Sequence, residues 1–372
     1  MNIQIYKPYL SKYKNSAIAA INSEWVSNHG IYIELSTNKL KEILDAKHII
    51  LMANGTVATH CLFISLKYKY PNIKKIYIPD NCYVAAYNCV LMEYKIDDLE
   101  ILEIDEDTWN INENEDYIKS LDSDSAILIV HNLGNVVDVD KIKKIRPDIV
   151  LLEDNCEGLF GKYNGKFTGT STSSLCSSVS FYGNKSITSG EGGAFITNDD
   201  ELFYYIKKVY SQGMSSTRYL HDVHAYNYRM TNIEAALLYD QLCDIDHILE
   251  LKENVFKIYE KLLEQLIKNN KISLQKINTN TKRANWMFAL KIIGNSKSID
   301  ETFKFFSNNG IETRPFFYPC REHQHLNKIK QKSNLNISNK LNKEIIMIPS
   351  YPTITLSEQE YIINVIKEFI NL

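Results

Sequence analysis

This chain of 372 residues is predicted to fold as an α/β protein with a mostly parallel sheet, on three observations. The sequence contains seven short apolar runs of strand length. Most of these runs are separated by helix-length segments, which is typical of a parallel sheet with helices on both faces. One run, Ile149–Leu152, is continuously apolar, as expected for a central strand that is covered on both faces.

The seven runs are interpreted as the strands of one sheet. In chain order they are His48–Ala53, Lys75–Pro79, Leu99–Ile104, Ala126–His131, Ile149–Asp154, Val179–Gly183 and Ala194–Thr197. The link between the last two runs is too short for a crossover helix. We therefore expect the last strand to run antiparallel to its neighbour.

After about Leu242 the pattern changes, and a second, smaller α/β domain is predicted. Its expected elements are a helix over Ile248–Lys268, the segment Lys271–Ile277, a strand-like segment Trp286–Ile292 and a closing helix over Ser357–Ile370. We therefore predict a large domain over residues 1–245 and a small domain over residues 246–372. The polar stretch 324–342 is predicted to be a solvated loop with helical turns.

Composition excludes several classes of protein. A net charge of −3 provides no electrostatic footprint for nucleic acid. No apolar run approaches the roughly 20 residues of a membrane span, and the N-terminus has no apolar signal-peptide core. The seven cysteines show neither CxxC pairs nor metal-ligand spacing, which favours reduced thiols. We expect a cytoplasmic protein that binds no metal, nucleic acid or membrane.

One lysine, Lys185, follows the run Val179–Gly183 and precedes a Gly-Glu-Gly-Gly turn at residues 190–193. An ammonium group at the rim of a buried sheet is costly to desolvate, and lysines in such places commonly form Schiff bases. Taken alone, a surface lysine after a strand is the commoner case. The flanking residues and an acid further upstream favour the chemical role.

That acid is Asp154, at the end of the apolar run Ile149–Leu152 and directly after Glu153. In an open α/β sheet, ligands bind at the carboxyl ends of the strands. A buried carboxylate there needs a cationic partner, which a protonated pyridine nitrogen would supply. Taken alone, a turn or helix-capping aspartate is the commoner case.

The order of these motifs resembles the DegT/DnrJ/StrS family of pyridoxal phosphate-dependent sugar aminotransferases, over nearly the whole chain. The residues that carry the resemblance are Asn54-Gly55-Thr56, Pro79–Ala85, Glu153-Asp154, Ser180–Gly193, Tyr226–Asn232 and Thr313–Phe317. The most specific block is Ser-Phe-x-x-x-Lys-x-x-x-x-Gly-Glu-Gly-Gly at residues 180–193. The resemblance implies the aspartate aminotransferase fold (fold type I), with a mostly parallel seven-stranded sheet, and pyridoxal 5′-phosphate as the cofactor.

The resemblance also implies which residues bind the cofactor. Gly55 and Thr56, at the start of a predicted helix, would hold the phosphate together with Ser180. The ring of Tyr83 would stack on the pyridine ring. Asp154 would keep the pyridine nitrogen protonated. Without the resemblance, an Asn-Gly-Thr turn would simply begin a helix, and one of 24 tyrosines would simply be packed.

Lys185 is implied to be the catalytic residue, which binds the cofactor covalently and later moves a proton. One branch of the superfamily has His in place of this lysine and performs dehydration, so Lys185 favours amino transfer. Glu157 stands where many relatives have Gln or His beside the phenolic oxygen of the cofactor. A charged acid at that position would be repelled unless it is protonated or paired.

Asn227 matches an asparagine that relatives supply from the partner subunit, so a homodimer with shared active sites is implied. The residues implied to bind substrate are Trp25, His221, Arg229, Arg314 and Phe317. Without the resemblance, the Asn227 segment is an ordinary loop before a helix over Thr231–Leu242 that Asn232 could cap.

The implied reaction moves an amino group from L-glutamate to C-4 of a nucleotide-linked 4-keto-6-deoxyhexose. The product would be a 4-amino-4,6-dideoxy sugar of the perosamine type (GDP-linked) or the viosamine type (dTDP- or UDP-linked), for glycan biosynthesis. Two alternatives remain within the superfamily, a C-3 keto-sugar aminotransferase and a pyridoxal phosphate-dependent sugar dehydratase. A non-catalytic regulatory protein is disfavoured by the intact set Thr56, Asp154, Ser180 and Lys185.

Overall fold

The computed structural model of the chain describes residues 2–331 and 336–371. Its α-helices are α1 Asn15–Asn22, α2 Ile31–Leu44, α3 Gly55–Lys69, α4 Val84–Leu91, α5 Glu115–Lys119, α6 Val139–Ile145, α7 Asp200–Val209, α8 Asn232–Cys243, α9 Ile245–Lys268, α10 Ile299–Asn308, α11 Asn336–Glu344 and α12 Leu356–Ile370. Its strands are β1 His48–Met52, β2 Lys75–Pro79, β3 Leu99–Leu102, β4 Ser125–Val130, β5 Val150–Asp154, β6 Lys162–Tyr163, β7 Lys166–Phe167, β8 Cys176–Ser180, β9 Gly193–Thr197, β10 Ile272–Ser273, β11 Thr281–Lys282, β12 Phe288–Ile292, β13 Arg314–Pro315, β14 Lys330–Gln331 and β15 Ile345–Ile348.

The large sheet contains all seven predicted strands, in the order β1-β9-β8-β5-β4-β2-β3-β14. As predicted, β9 runs antiparallel to its neighbours β8 and β1, and the remaining pairs of this sheet are parallel. The sheet gains an eighth member that the sequence did not reveal, because β14 is only two residues long and lies in a polar stretch. It pairs with the edge strand β3.

The small sheet is antiparallel, with the order β10-β12-β15-β13. The predicted helices of this part are confirmed within three residues as α9 and α12. In the stretch 324–342, the chain forms β14 and the start of α11, while residues 332–335 lie outside the described part. The domain boundary between residues 245 and 246 stays a prediction. Two segments pack against the domain to which this boundary does not assign them. Ile3 packs in the apolar core of the small sheet, and β14 joins the large sheet.

Helix α3 is the element of the large domain that most directly positions the site. Every residue from Ala58 to Leu66 is buried, which is typical of a helix covered on all sides. The helix packs against β8 and β9 and begins directly after β1, so its N-terminus is fixed relative to the sheet. Within residues 2–331 and 336–371, no helix combines the length and the apolar character needed to cross a membrane.

Candidate active site

Three strand and helix ends meet at one edge of the large sheet. Asp154 is the last residue of β5, Ser180 is the last residue of β8, and Gly55 is the first residue of α3, just beyond β1. β5 and β8 are parallel neighbours, so their carboxyl ends lie on the same side. This is the edge at which open α/β sheets bind ligands.

The start of α3 lies directly against Ser180. A Cβ atom placed on Gly55 would be 2.7 Å from Cβ of Ser180 and 3.0 Å from its Oγ, so only glycine fits here. The side chain of Asn54 caps the helix by accepting a hydrogen bond from the N–H of Val57 (3.0 Å). The exposed Thr56 stands at the same helix end. A helix N-terminus flanked by the hydroxyl groups of Thr56 and Ser180 favours the binding of an anion such as phosphate.

Asp154 is buried and has no cationic partner in the described part of the chain. Its Oδ1 accepts a hydrogen bond from the N–H of Cys156 (3.1 Å). No lysine, arginine or histidine nitrogen within residues 2–331 and 336–371 lies within ion-pair distance of its carboxylate. A buried carboxylate is stabilised by a cation, so this site suits a protonated pyridine nitrogen.

Lys185 lies beyond the end of β8 rather than at it. The strand ends at Ser180, and the N–H of Lys185 closes a turn by donating to the carbonyl of Tyr182 (2.9 Å). The alternating pattern extended the predicted strand to Gly183, but main-chain pairing stops earlier because the chain turns. The Lys185 ammonium lies 3.8 Å from the centroid of the Trp286 ring, whose electron-rich face attracts a cation.

Glu157 is buried beside this lysine. Its Oε2 accepts a hydrogen bond from the N–H of Leu133 (2.8 Å), in a turn where Leu133 has a positive φ of 55°. Burial raises the pKa of Glu157 to about 7; the Lys185 ammonium and the Leu133 hydrogen bond oppose this, and the charge of Asp154 adds to it. The carboxyl group therefore keeps its proton to near neutral pH, which removes the repulsion expected beside a phenolic oxygen.

Cys156 lies among these groups, and sequence reasoning missed it. Burial raises the pKa of its thiol well above the ordinary value, the charge of Asp154 raises it further, and the ammonium of Lys185 opposes both. Its sulfur lies 3.2 Å from the position that a Cβ on Gly55 would take. A single cysteine in a polar segment carries no sequence signal for such a location.

Two aromatic rings that are predicted to belong to the site, those of Tyr83 and Phe317, contact each other. Tyr83, the residue before α4, is 60% exposed although it is aromatic. Its ring meets that of Phe317 edge to face, with 6.2 Å between centroids. Tyr83 therefore presents a ring face that a planar ligand could cover, and Phe317, which follows β13, brings the second half of the chain to it.

The polar side chains among the remaining predicted residues bind partners other than Lys185. Asn227 accepts a hydrogen bond from Nε of Arg229 (2.9 Å), and His221 is hydrogen-bonded to the carbonyl of Gln212 (2.7 Å). Arg314 pairs with Glu312 (2.5 Å).

Asn232 donates to the carbonyl of Trp25 (2.7 Å), and the indole of Trp25 is 62% exposed. Helix α8 is capped by Thr231, not by Asn232. No hydrogen bond in the described residues joins Asn227 to Gly55, Thr56 or Ser180 of its own chain.

A family model, that of the DegT/DnrJ/EryC1/StrS aminotransferase family, matches residues 10–367. The chain belongs to this family. It is also similar to the GDP-perosamine synthase of Vibrio cholerae, with 31% identity over 378 residues that cover 99% of each chain.

Solved structures share the fold. An aminotransferase of Helicobacter pylori involved in the biosynthesis of pseudoaminic acid superposes with a TM-score of 0.89 at 21% identity, covering all of both chains. The GDP-4-keto-6-deoxy-D-mannose-3-dehydratase of Escherichia coli, a structure with bound hydrated pyridoxal phosphate, has a TM-score of 0.87 at 20% identity. That match covers 98% of this chain and 99% of the E. coli chain.

These findings confirm the predicted fold, the predicted aminotransferase class and pyridoxal 5′-phosphate as the cofactor. The residues present fit this group on the structure's own observations: the cradle at Gly55 that a Cβ would fill, and the buried Asp154 without a cation. The roles of the individual residues stay predictions. Gly55, Thr56 and Ser180 would hold the phosphate, Asp154 the ring nitrogen, and Lys185 the aldehyde.

The raised pKa of Glu157 predicts that the cofactor-free protein loses stability as the pH rises. In the folded state this acid binds a proton up to about pH 7, whereas the unfolded chain releases it near its ordinary value of 4.5. Its contribution is therefore complete below pH 4.5 and lost on passing pH 7, up to about 3 kcal/mol. Urea unfolding at pH 5 and pH 8 measures it.

Glu157→Gln is the matched control, because the amide keeps an acceptor for Leu133 but does not titrate. Other groups, such as Glu113, titrate alike in both proteins and cancel in the difference. The difference in unfolding free energy between the two pH values should be larger in the parent protein. Equal differences in the two proteins would contradict a raised pKa at Glu157.

Proposed function

We propose that this protein moves an amino group from L-glutamate to C-4 of a nucleotide-linked 4-keto-6-deoxyhexose, giving a 4-amino-4,6-dideoxy sugar for glycan biosynthesis. The observation that carries the proposal is the similarity to the GDP-perosamine synthase of V. cholerae over 99% of both chains. Similarity at 27% identity to a transaminase of Campylobacter jejuni that is named for a UDP-linked 4-amino-4,6-dideoxy sugar supports amination at the same carbon. GDP is therefore the first nucleotide to test.

The residues of the site have separate tasks in this reaction. Bound pyridoxal phosphate supplies an electron sink next to the reacting carbon. Lys185 moves the proton through its Nζ, which the Trp286 ring holds in place. Asp154 keeps the ring nitrogen charged, and Glu157 presents a protonated carboxyl group near neutral pH. Tyr83 would stack on the ring of the bound cofactor and exclude water from that face.

Substrate identity is tested with GDP-, dTDP- and UDP-linked 4-keto-6-deoxyhexoses, each incubated with L-glutamate. We expect one molecule of 2-oxoglutarate per molecule of amino sugar, with the new nitrogen at C-4 by product NMR. Nitrogen at C-3 would overturn the C-4 proposal and leave the aminotransferase class intact. A product that lacks the C-3 hydroxyl and carries no nitrogen would instead indicate dehydration.

A homodimer with shared active sites is the second part of the proposal. Asn227 is exposed and Arg229 is half-buried, and their side chains are hydrogen-bonded to each other rather than to Gly55, Thr56 or Ser180 of their own chain. Five large apolar residues in the stretch 18–31 are exposed, namely Ile18, Ile21, Trp25, Val26 and Ile31. Asn232 links the two regions through the Trp25 carbonyl. Exposed apolar residues concentrated in one stretch of the chain favour burial against another subunit.

Mixed dimers test the shared site. A Lys185→Ala subunit and an Asn227→Asp subunit are each expected to be inactive, because one lacks the amine and the other repels the phosphate. If Asn227 acts across the interface, every hybrid dimer has one intact site. Co-refolded equal mixtures should then regain about a quarter of the parent activity by random pairing. Kinetic assays measure this recovery, and native mass spectrometry measures the hybrid fraction.

If Asn227 acted within its own chain, hybrids would contain no intact site, and the mixture would stay inactive. That result, with hybrids present in the mass spectrum, would contradict the shared-site proposal.

We also propose a cytoplasmic location, which is supported by the absence of disulfides among the seven cysteines, all of which are described and free.

A further inference from the structure

A buried lysine other than Lys185 lies in the small domain. Lys252 of α9 is only 4% exposed, and no carboxylate in the described residues lies within ion-pair distance of its ammonium. Burial lowers the pKa of Lys252 to about 7. An unpaired buried ammonium costs stability, and apolar side chains of similar size would cost less. Its presence therefore calls for a role beyond packing.

The Lys252 ammonium binds two main-chain carbonyls. It donates to the carbonyl of Trp286 (2.8 Å) and to the carbonyl of Ser350 (2.5 Å). These residues lie just before β12 and just after β15, which are antiparallel partners. Ser350 Oγ also accepts a hydrogen bond from the N–H of Phe288 (3.0 Å). Lys252 thus fixes the main chain from which the Trp286 side chain extends.

Trp286 in turn contacts the Lys185 segment twice. Its indole N–H donates to the carbonyl of Asn184 (2.9 Å), and its ring lies 3.8 Å from the Lys185 ammonium. On the other side of the lysine, Gln241 of α8 accepts from the N–H of Thr188 (2.9 Å) and donates to its carbonyl (2.7 Å). Gln241 of the large domain therefore holds the main chain after Lys185. Trp286 of the small domain holds the main chain before it.

We propose that Lys252 is a positioning residue for Lys185, which acts by holding Trp286 against the Lys185 segment. The proposal rests on the proposed function only in treating Lys185 as the reactive lysine. Removing Lys252 frees the Trp286 main chain, lets the indole leave Asn184, and allows the Lys185 amine to move. Because a displacement of about 1 Å at a reacting group can cost about 10²-fold in rate, a remote lysine can affect catalysis.

The test is a double-mutant cycle with Lys252→Met and Trp286→Phe in the full-length, cofactor-loaded protein. The first readout is hydrogen–deuterium exchange of the peptide over residues 184–188. The second is the half-reaction with L-glutamate, followed by the colour of the cofactor. Each single variant should speed exchange of this peptide and lower kcat by about tenfold or more at similar KM. The double variant should resemble the single variants, because both act through one contact.

Lys291→Met is the matched control. It removes another buried lysine of the small domain, but Lys291 binds Glu106 (3.0 Å) and does not contact Trp286. The control should leave exchange at 184–188 unchanged. If Lys252→Met does not fold, Lys252→Gln takes its place in the cycle, since its amide can still donate to one carbonyl.

Two results would overturn the proposal: unchanged exchange at 184–188 in the Lys252 variant, or rate losses that multiply in the double variant. A purely structural role would speed exchange at the ends of β12 and β15 only. The exchange measurement does not depend on the sugar or on the amino donor, so a wrong substrate assignment would leave its outcome unaffected.

Discussion

Lys185→Ala is expected to abolish amino transfer and to leave the fold intact. Under the proposed assignment, the variant removes the amine that would hold the cofactor covalently and the group that would move the proton. Proton transfer by a positioned side chain alone contributes about 10²–10⁴-fold, so we expect kcat to fall by at least about 10⁴-fold. The lysine is only half-buried and its ammonium has no ion-pair partner in the described residues, so the substitution should change the free energy of unfolding little.

Single-turnover kinetics with L-glutamate measure the loss. Borohydride treatment of the parent protein should fix the cofactor on one peptide, the one that contains Lys185, and mass spectrometry identifies it. Lys257→Ala is the control, because this exposed lysine of α9 pairs with Glu253 on the same helix (2.7 Å). A fixed adduct on another lysine, or normal turnover in Lys185→Ala, would contradict the assignment.

The sheet was predictable because its signal is local. Each predicted strand is an apolar run, and β4 and β5 are buried along their whole length, as a continuous apolar run indicates. The antiparallel direction of β9 could be predicted solely from the short link that follows Lys185. In contrast, β14 joins the sheet through two main-chain residues of a polar stretch, where hydrophobicity carries no information.

The site was predictable where a motif marks it and not where it depends on packing. Asp154 and Gly55 lie at element ends, and Lys185 lies in the turn after β8; the sequence marks these places with glycine or with a change from apolar to charged residues. The proton on Glu157 depends on burial and on the Leu133 turn, which belongs to a distant part of the chain. No local pattern reports that environment.

Lys252 and Gln241 show the same limit. Each is one polar residue in a helix with many others, and only the tertiary structure reveals that both are buried on either side of the Lys185 segment. For Lys252 alone a signal was available, since it is a polar residue on the apolar face of the amphipathic helix α9. That signal indicates a buried polar group without naming its partner.

For the adjacent acids Glu153 and Asp154 of β5, we predict different roles, one in stability and one in catalysis. Successive side chains of a strand point to opposite faces of the sheet. Glu153 lies in a satisfied network, where it accepts from the Gly169 N–H (2.9 Å) and from Ser174 Oγ (2.5 Å), and it contacts His131 (3.2 Å). Asp154 faces the candidate active site, where its carboxylate accepts from the Cys156 N–H (3.1 Å) and has no cationic partner in the described residues. Substitutions at these neighbours should therefore have opposite consequences.

Asp154→Asn is expected to lower kcat by about 10³-fold, or about 4 kcal/mol in barrier, because an amide cannot hold the ring nitrogen in its charged form. The cofactor-free variant should be at least as stable as the parent, since a buried charge without a cationic partner is removed. Glu153→Gln should do the reverse: it should lose about 1–3 kcal/mol of unfolding free energy through unsatisfied hydrogen bonds and keep most of its kcat. Steady-state kinetics and urea unfolding of both variants decide the matter. Normal turnover of Asp154→Asn would show that Asp154 is not the partner of the ring nitrogen. The same conclusion would follow if both substitutions acted mainly on stability, and the two acids would then not have separate roles.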